Sequence, residues 1–153
     1  MEHMDDLEYR EITNSLRDQI IADKSWGHAG EHIRLGPECF SIGAFVGEDL
    51  VGFISAFRRP LPPPLADLSE AFINIIVVRP SYQRRGIGSS LLQQTVQWAR
   101  QHRLYQVSAW STEDRIEAIG LWRKAGFGFR RQEFEVEGRK GYGFWVVLPL
   151  SHD

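Results

Sequence analysis

The spacing of apolar and polar positions changes several times along the chain, and each change marks an element. Leu7 to Ile12 reads as a first strand. Thr13 or Asn14 can cap a helix over Ser15–Asp23, with Leu16, Ile20 and Ile21 as its apolar stripe. From Lys24 to Pro37 the periodicity fails, interrupted by Gly27, Gly30 and Gly36, which predicts a loop with a short helix. Phe40–Val46 and Leu50–Phe57 are strand-like runs joined by the hairpin turn Gly47-Glu48-Asp49. Arg58-Arg59-Pro60-Leu61-Pro62-Pro63-Pro64 then predicts a stiff, extended connection that neither a helix nor a central strand accommodates.

The most ordered pattern lies in the middle. Phe72–Val78 is a short apolar, β-branched run fit for a buried strand, and Arg79-Pro80 ends it. Gly86 and Gly88 follow, and a helical pattern begins. Ile87, Leu91, Leu92, Thr95, Trp98 and Ala99 share one face, while Ser90, Gln93, Gln94, Gln97 and Arg100 lie around the other. Tyr105–Trp110 reads as a further strand. Asp114 and Glu117 form a capping box for a helix over Arg115–Ala125, which Gly126 ends in a left-handed conformation. Phe127–Val136 and Tyr142–Leu150 are the last strands, joined by the hairpin Glu137–Gly141. The order predicted is strand, one or two helices, three strands, helix, strand, helix, two strands.

Composition narrows the class. At 153 residues, with 42% hydrophobic and 25% charged residues, the chain reads as one soluble domain over 1–153. A net charge of −2 gives no global attraction to nucleic acid or to an anionic membrane. The single cysteine, Cys39, cannot form an intrachain disulfide and fits a reducing compartment; its apolar neighbours mark it as a small core residue. The start, Met1 to Asp6, is acidic and lacks the apolar run of a signal peptide, and no segment is long enough to span a bilayer. The expected location is cytoplasmic.

Chemistry enters at the glycine-bearing turn. The N–H groups opening a helix are unpaired and sit at the positive end of its dipole, an arrangement that suits a phosphate. A dinucleotide fingerprint requires Gly or Ala at position 91, where Leu91 stands, and an acidic residue near Val107, where there is none. A Walker loop requires Gly-Lys-Ser/Thr, which the chain lacks. The segment Gln83-Arg84-Arg85-Gly86-Ile87-Gly88, after a strand and Pro80 and before a long helix, resembles the pyrophosphate loop of the GNAT superfamily of acyl-CoA-dependent N-acyltransferases. The order of elements agrees with that fold over nearly the whole chain. Ala118-Ile119-Gly120-Leu121-Trp122-Arg123-Lys124-Ala125-Gly126-Phe127 is similar to a second family segment. Two positions depart from it: Arg115 stands at its Asn and Trp122 at its Tyr.

The resemblance implies an α/β (α+β) fold with a central, mostly antiparallel mixed sheet of about seven strands, flanked by helices and splayed at its centre. It implies acetyl-CoA as cosubstrate and direct attack by a primary amine in a ternary complex. Phosphate and pantetheine contacts would come from Ile76, Val77, Val78, Gln83, Arg84, Arg85, Gly86, Ile87, Gly88, Ser89, Arg115 and Trp122. The splayed pair would be Phe72–Val78 and Tyr105–Trp110.

Proton handling is less defined. An indole N–H donates a hydrogen bond but is not a proton source at neutral pH, so the leaving thiolate departs unaided or is served by Tyr142, Tyr105 or Ser111. Family glutamates that act as base correspond here to Phe72 and Trp110, which leaves Glu70, on the face of Phe72 and Asn74 by alternation, as the candidate base. The acceptor is a small-molecule or a protein amine, and a homodimer is compatible with the family. Two other classes are weighed. An acyl-CoA-binding module with little activity is motivated by Trp110 and Trp122. A zinc site at His28-Ala29-Gly30-Glu31-His32 would require a stable helix, which Gly27, Gly30 and Pro37 oppose, and a third ligand.

Overall fold

The computed structural model describes residues 6–151; the reading of the acidic start of the chain rests largely on residues 1–5, which lie outside them. Seven strands form one sheet in the order β1-β2-β3-β4-β5-β7-β6. They are β1 (Leu7–Glu11), β2 (Cys39–Val46), β3 (Asp49–Pro60), β4 (Ser69–Val78), β5 (Gln106–Thr112), β6 (Gly128–Val136) and β7 (Arg139–Pro149). The α-helices are α1 (Asn14–Ala22), α2 (Ile87–Gln101) and α3 (Ile116–Lys124). All neighbouring strands run antiparallel except β4 and β5. Short turns give β2–β3 and β6–β7 their antiparallel sense, whereas the crossover through α2 returns β5 parallel to β4. This is the mixed, mostly antiparallel sheet flanked by helices that the sequence implies.

The helix α2 buries the stripe read from its periodicity: Ile87, Leu91, Leu92, Thr95, Trp98 and Ala99. Thr95 satisfies its hydroxyl on the Leu91 carbonyl at 3.0 Å, so burying it leaves no polar group unpaired. On the other face Ile12, Ile20, Trp26, Ile33 and Phe53 form a smaller core beneath α1. Gly30 lets the 3-10 turn Ala29–His32 approach α1, since a Cβ there would lie 2.9 Å from the Ile20 side chain. Cys39, expected in the core, is instead half-buried as the first residue of β2, and that partial burial pushes its thiol up.

Several local expectations are corrected. The run Arg58 to Pro60 is not a linker: β3 continues to Pro60, and β4 starts at Ser69 rather than Phe72, because these ends pair with each other. Pro60 is tolerated as the last residue of the strand. The capping box is absent. Arg115 takes the N-cap position of α3 with no side-chain bond, Asp114 accepts from the Thr112 hydroxyl, and Glu117 reaches Arg84. Gly126 does adopt the expected left-handed backbone at φ 88°, and the Phe127 N–H closes the end of α3 on the Trp122 carbonyl.

Two irregularities in β4 shape the molecule. Ser55 pairs with Ile75 but Ala56 pairs with Ile73, so Asn74 is an extra residue, a β-bulge. The bulge ends the simple alternation that put Glu70, Phe72 and Asn74 on one face. Ala71, Ile73, Ile76 and Val78 pack toward α2 and α3, while Ile75 and Val77 turn toward α1. The second is loss of pairing with β5. Glu70–Ile73 pair with Gln106–Ala109, and no further rung forms. Beyond it β4 stays with β3 as far as Val78, and β5 stays with β7 as far as Thr112, so the two central strands diverge.

Candidate active site

The divergence opens onto a cavity of about 810 Å³ between the edge of β4, the turn before α2 and one face of α3. Ile76, Val77, Val78, Gln83, Arg84, Gly86, Gly88, Ser89 and Arg115 line it, all read from the sequence. Asn74–Val78 has no strand on its β5 side, and such a free edge offers backbone donors and acceptors to an extended ligand. At the cavity's far end the first N–H groups of α2, from Ile87, Gly88 and Ser89, have no carbonyl within the helix.

The turn is built by backbone conformation. Arg84 and Gly86 both have left-handed φ, 64° and 83°, and this reversal lets α2 start directly over the cavity. Gln83 is more fixed than its expected role implies, since its amide donates to the Val78 carbonyl at 3.0 Å and ties the turn to the end of β4. A Cβ on Gly88 would meet nothing closer than Leu121 at 3.6 Å, so what glycine preserves there is open cavity. Arg84, Arg115 and Lys124 set positive charge around the walls, opposed by Asp114 and Glu117. Arg84 and Glu117 face each other at 3.3 Å.

Three expected cofactor contacts do not line the cavity. The side chain of Ile87 is buried in the core, and the Arg85 guanidinium lies 5.3 Å from the Tyr82 ring. Trp122, 2% exposed, packs against Phe127 with ring centroids 5.2 Å apart. Helical phase is the reason. Glu117, Gly120, Leu121 and Lys124, spaced three and four apart, face the cavity, and Trp122 is rotated from them toward the sheet. The sequence reading missed these residues, with Ala118 and Ile116; their spacing along α3 was the signal that could have found them.

Glu70 is not placed as a base. It is 4% exposed at the closed end of the β4–β5 pair, before the strands diverge. Oε2 accepts from Arg59 Nε at 2.6 Å, and Oε1 accepts from Gln106 Nε2 and Ser108 Oγ, each at 2.7 Å. Both oxygens are held by fixed donors, an arrangement that anchors strands rather than receiving a substrate's proton. The zinc reading loses its helix: residues 29–32 form a 3-10 turn, and His28 is 89% exposed beside Glu31.

On the sheet face opposite α2 and α3, aromatic rings form a row across β3, β4, β7, β5 and β6. Phe57 meets Phe72 at 5.9 Å, Phe72 meets Trp145 at 6.4 Å, and Trp110 lies 5.0 Å from Trp145 and 5.9 Å from Phe134. Arg34 stacks over Phe57 at 3.9 Å. The 3-10 turn at Ala29–His32 borders this row, held by Asn74 Nδ2, which donates to the His32 carbonyl at 3.2 Å. The bulge residue therefore links the central strand to the segment beside it.

A phosphate-suited helix start beside a free strand edge is the arrangement an acyl-CoA transferase requires. The family model described as acetyltransferase (GNAT) family matches residues 3–127. N-alpha-acetyltransferase RimI of Mycobacterium tuberculosis is 33% identical over 128 residues, 80% of this chain and 76% of that protein. Among solved structures, Arabidopsis thaliana NAA60 in complex with a bisubstrate analogue superposes with a TM-score of 0.79 at 17% identity, over 94% of this chain and 97% of that one. The ribosomal-protein-S18-alanine N-acetyltransferase of Escherichia coli gives 0.72 at 16% identity, over 96% of each chain; both likenesses concern the fold. The chain belongs to the acetyltransferase (GNAT) family. It is an acyltransferase that takes acetyl-CoA as cosubstrate and acetylates an amine, which sets aside the binding-module reading. Among the described residues no helix is long and apolar enough to cross a membrane.

Proposed function

We propose that the protein acetylates the α-amine of a peptide or protein N-terminus whose first side chain is large and apolar. The carrying observation is the divergence of Asn74–Val78 from Trp110–Thr112, with the cavity on one face of the sheet and the aromatic row on the other. Acetyl-CoA enters from the cavity side, with its pyrophosphate on the N–H groups of Arg84 to Ser89 and its pantetheine along Ile76–Val78. The acceptor enters from the aromatic side, where Phe72, Trp110 and Trp145 offer apolar surface beside the reacting amine. The N-alpha-acetyltransferase name of the mycobacterial relative supports an α-amine over a side-chain amine. The single free cysteine supports a reducing, cytoplasmic setting.

Attack is direct. Fixing amine and thioester in one gap supplies about 7–11 kcal/mol of barrier lowering by positioning alone, against about 3–5 kcal/mol for general acid–base help. With Glu70 engaged and Trp110 at the family's glutamate position, the ammonium loses its proton to solvent before it reacts. The test is release of CoA thiol with three acceptor sets: peptides with a free N-terminus, the same peptides N-terminally blocked but carrying lysine, and small polyamines. Free-terminus peptides with an apolar first residue are expected to react about tenfold faster or more than those with a glycine start. Equal or faster turnover of blocked peptides or polyamines overturns the reading.

A further inference from the structure

The face of the sheet that carries the aromatic row also carries a cation that the fold holds in place and leaves without an acidic partner. Arg34 directly follows Ile33, which is buried in the smaller core beneath α1. Its backbone is fixed on both sides. The Arg34 N–H donates to Ser55 Oγ at 2.9 Å, and the Arg34 carbonyl accepts from Ser41 Oγ at 2.7 Å. Both serines are buried, and their hydroxyls lie 2.7 Å apart, so Ser55 donates to Ser41 and each oxygen is satisfied. Two buried hydroxyls thus set where one exposed side chain begins. That side chain lies over the Phe57 ring, its guanidinium carbon 3.9 Å from the centroid. Phe57 is the first ring of the row, 5.9 Å from Phe72. Among the described residues no carboxylate pairs with Arg34: Glu38 faces Arg58 at 3.7 Å, Glu70 faces Arg59 at 2.6 Å, and Glu31 lies 3.5 Å from His28. A guanidinium stays charged, and one stacked on a ring keeps its N–H edge free for a planar anion.

Resting on the peptide-acetylation reading, we propose that Arg34 is a specificity-determining residue that binds a carboxylate of the acceptor, one or two residues beyond the acetylated amine. An acceptor lying extended along the row, with its first side chain on Phe72 and Trp145, advances about 3.4 Å per residue. Its second and third positions then reach the Phe57 end, where Arg34 stands. The carboxylate is an Asp or Glu side chain there, or the C-terminus of a dipeptide or tripeptide; both present the same planar pair of oxygens. Arg130, across from Trp145 on β6, is another exposed arginine of this face. Among the described residues it has no ring beneath it and no side chain fixing its backbone, so it is not held ready in the same way.

The experiment measures kcat/KM by release of CoA thiol. One arm uses C-terminally amidated peptides that share an apolar first residue and carry Glu or Gln at the second or third position. The other uses dipeptides and tripeptides with a free or an amidated C-terminus. Wild type is expected to favour the carboxylate about five- to tenfold in one arm, through KM rather than kcat, with the preference fading near 1 M salt. The arm that shows it names the source. Arg34→Gln loses the preference, and Arg34→Lys keeps part of it, since an ammonium has the charge without the fork. Arg34→Glu reverses it toward arginine at the same peptide position, a gain that misfolding cannot imitate. Calorimetric titration of the same peptides into the CoA-bound protein gives the affinity ratio without turnover. Equal rates and affinities for carboxylate and amide peptides in wild type overturn the proposal, as does a preference that survives Arg34→Gln and disappears in Arg130→Gln. Faster turnover of N-terminally blocked peptides overturns the peptide-acetylation reading alone, because the carboxylate ratio compares peptides with the same amine.

Discussion

The sharpest test of the site concerns Glu70, because its two readings predict opposite results. As a strand anchor, its carboxylate holds Arg59 at 2.6 Å and both Gln106 and Ser108 at 2.7 Å, with Arg59 also stacked 3.7 Å over the Phe72 ring. In Glu70→Gln one oxygen becomes an NH2 group. If it faces Arg59, donor meets donor and the charge-assisted bond is lost; if it faces Gln106 and Ser108, one of those must turn. Hydrogen bonds to a charged group are worth about 1.5–3 kcal/mol each. Because the Arg59 side chain is 35% exposed, it can turn to water, which discounts the ion pair below a fully buried one. The expected cost is about 2–3 kcal/mol, a fall in Tm of about 4–12 °C for a domain of this size. Thermal unfolding followed by circular dichroism reads the first quantity. Turnover at 25 °C, normalised to the folded fraction, reads the second and is expected to change less than about threefold, since the carboxylate lies away from the gap. An unchanged Tm with a hundredfold loss of kcat would refute the anchor and restore the base.

Two further outcomes test the cosubstrate cavity. Gly86→Ala places a Cβ on a backbone with φ 83°, at a cost of about 1–2 kcal/mol, and is expected to weaken acetyl-CoA binding by deforming the turn; Gly88→Val, with Leu121 3.6 Å from its Cβ, is expected to fold normally yet weaken binding by filling the cavity. Calorimetry that finds wild-type affinity in both well-folded variants removes the phosphate turn from the site. Glu117→Gln takes away a carboxylate that faces Arg84 at the cavity wall. The ion pair is exposed and contributes little to stability, so Tm is expected to hold while acetyl-CoA binds about two- to fivefold tighter at low salt, an advantage that disappears near 1 M salt; weaker binding at low salt contradicts this.

The chain's own pattern was enough for most of the framework. The face of α2 follows from residues recurring every three or four positions, and the left-handed Gly126 from its place after the last helical turn. Both depend on neighbours in sequence, which is why they were legible. The turn from Gln83 to Gly88 carried its chemistry in residue types, and its resemblance to a known phosphate turn named the cosubstrate. What the pattern did not hold came from contacts between segments distant in sequence. Glu70 looks like a free carboxylate until Arg59, Gln106 and Ser108, 11, 36 and 38 residues away, close on it. The same pairing draws the ends of β3 and β4 past their apolar cores, through residues whose polarity reads as the end of a strand. The bulge at Asn74 shifts alternation by one, and only pairing with β3 reveals it. Trp122 sat at a family position, but its rotation into the core is decided by the packing of α3 on the sheet. Sequence fixes which residues recur on a face; tertiary structure decides what that face meets, because burial and hydrogen-bond satisfaction are properties of the assembled neighbours.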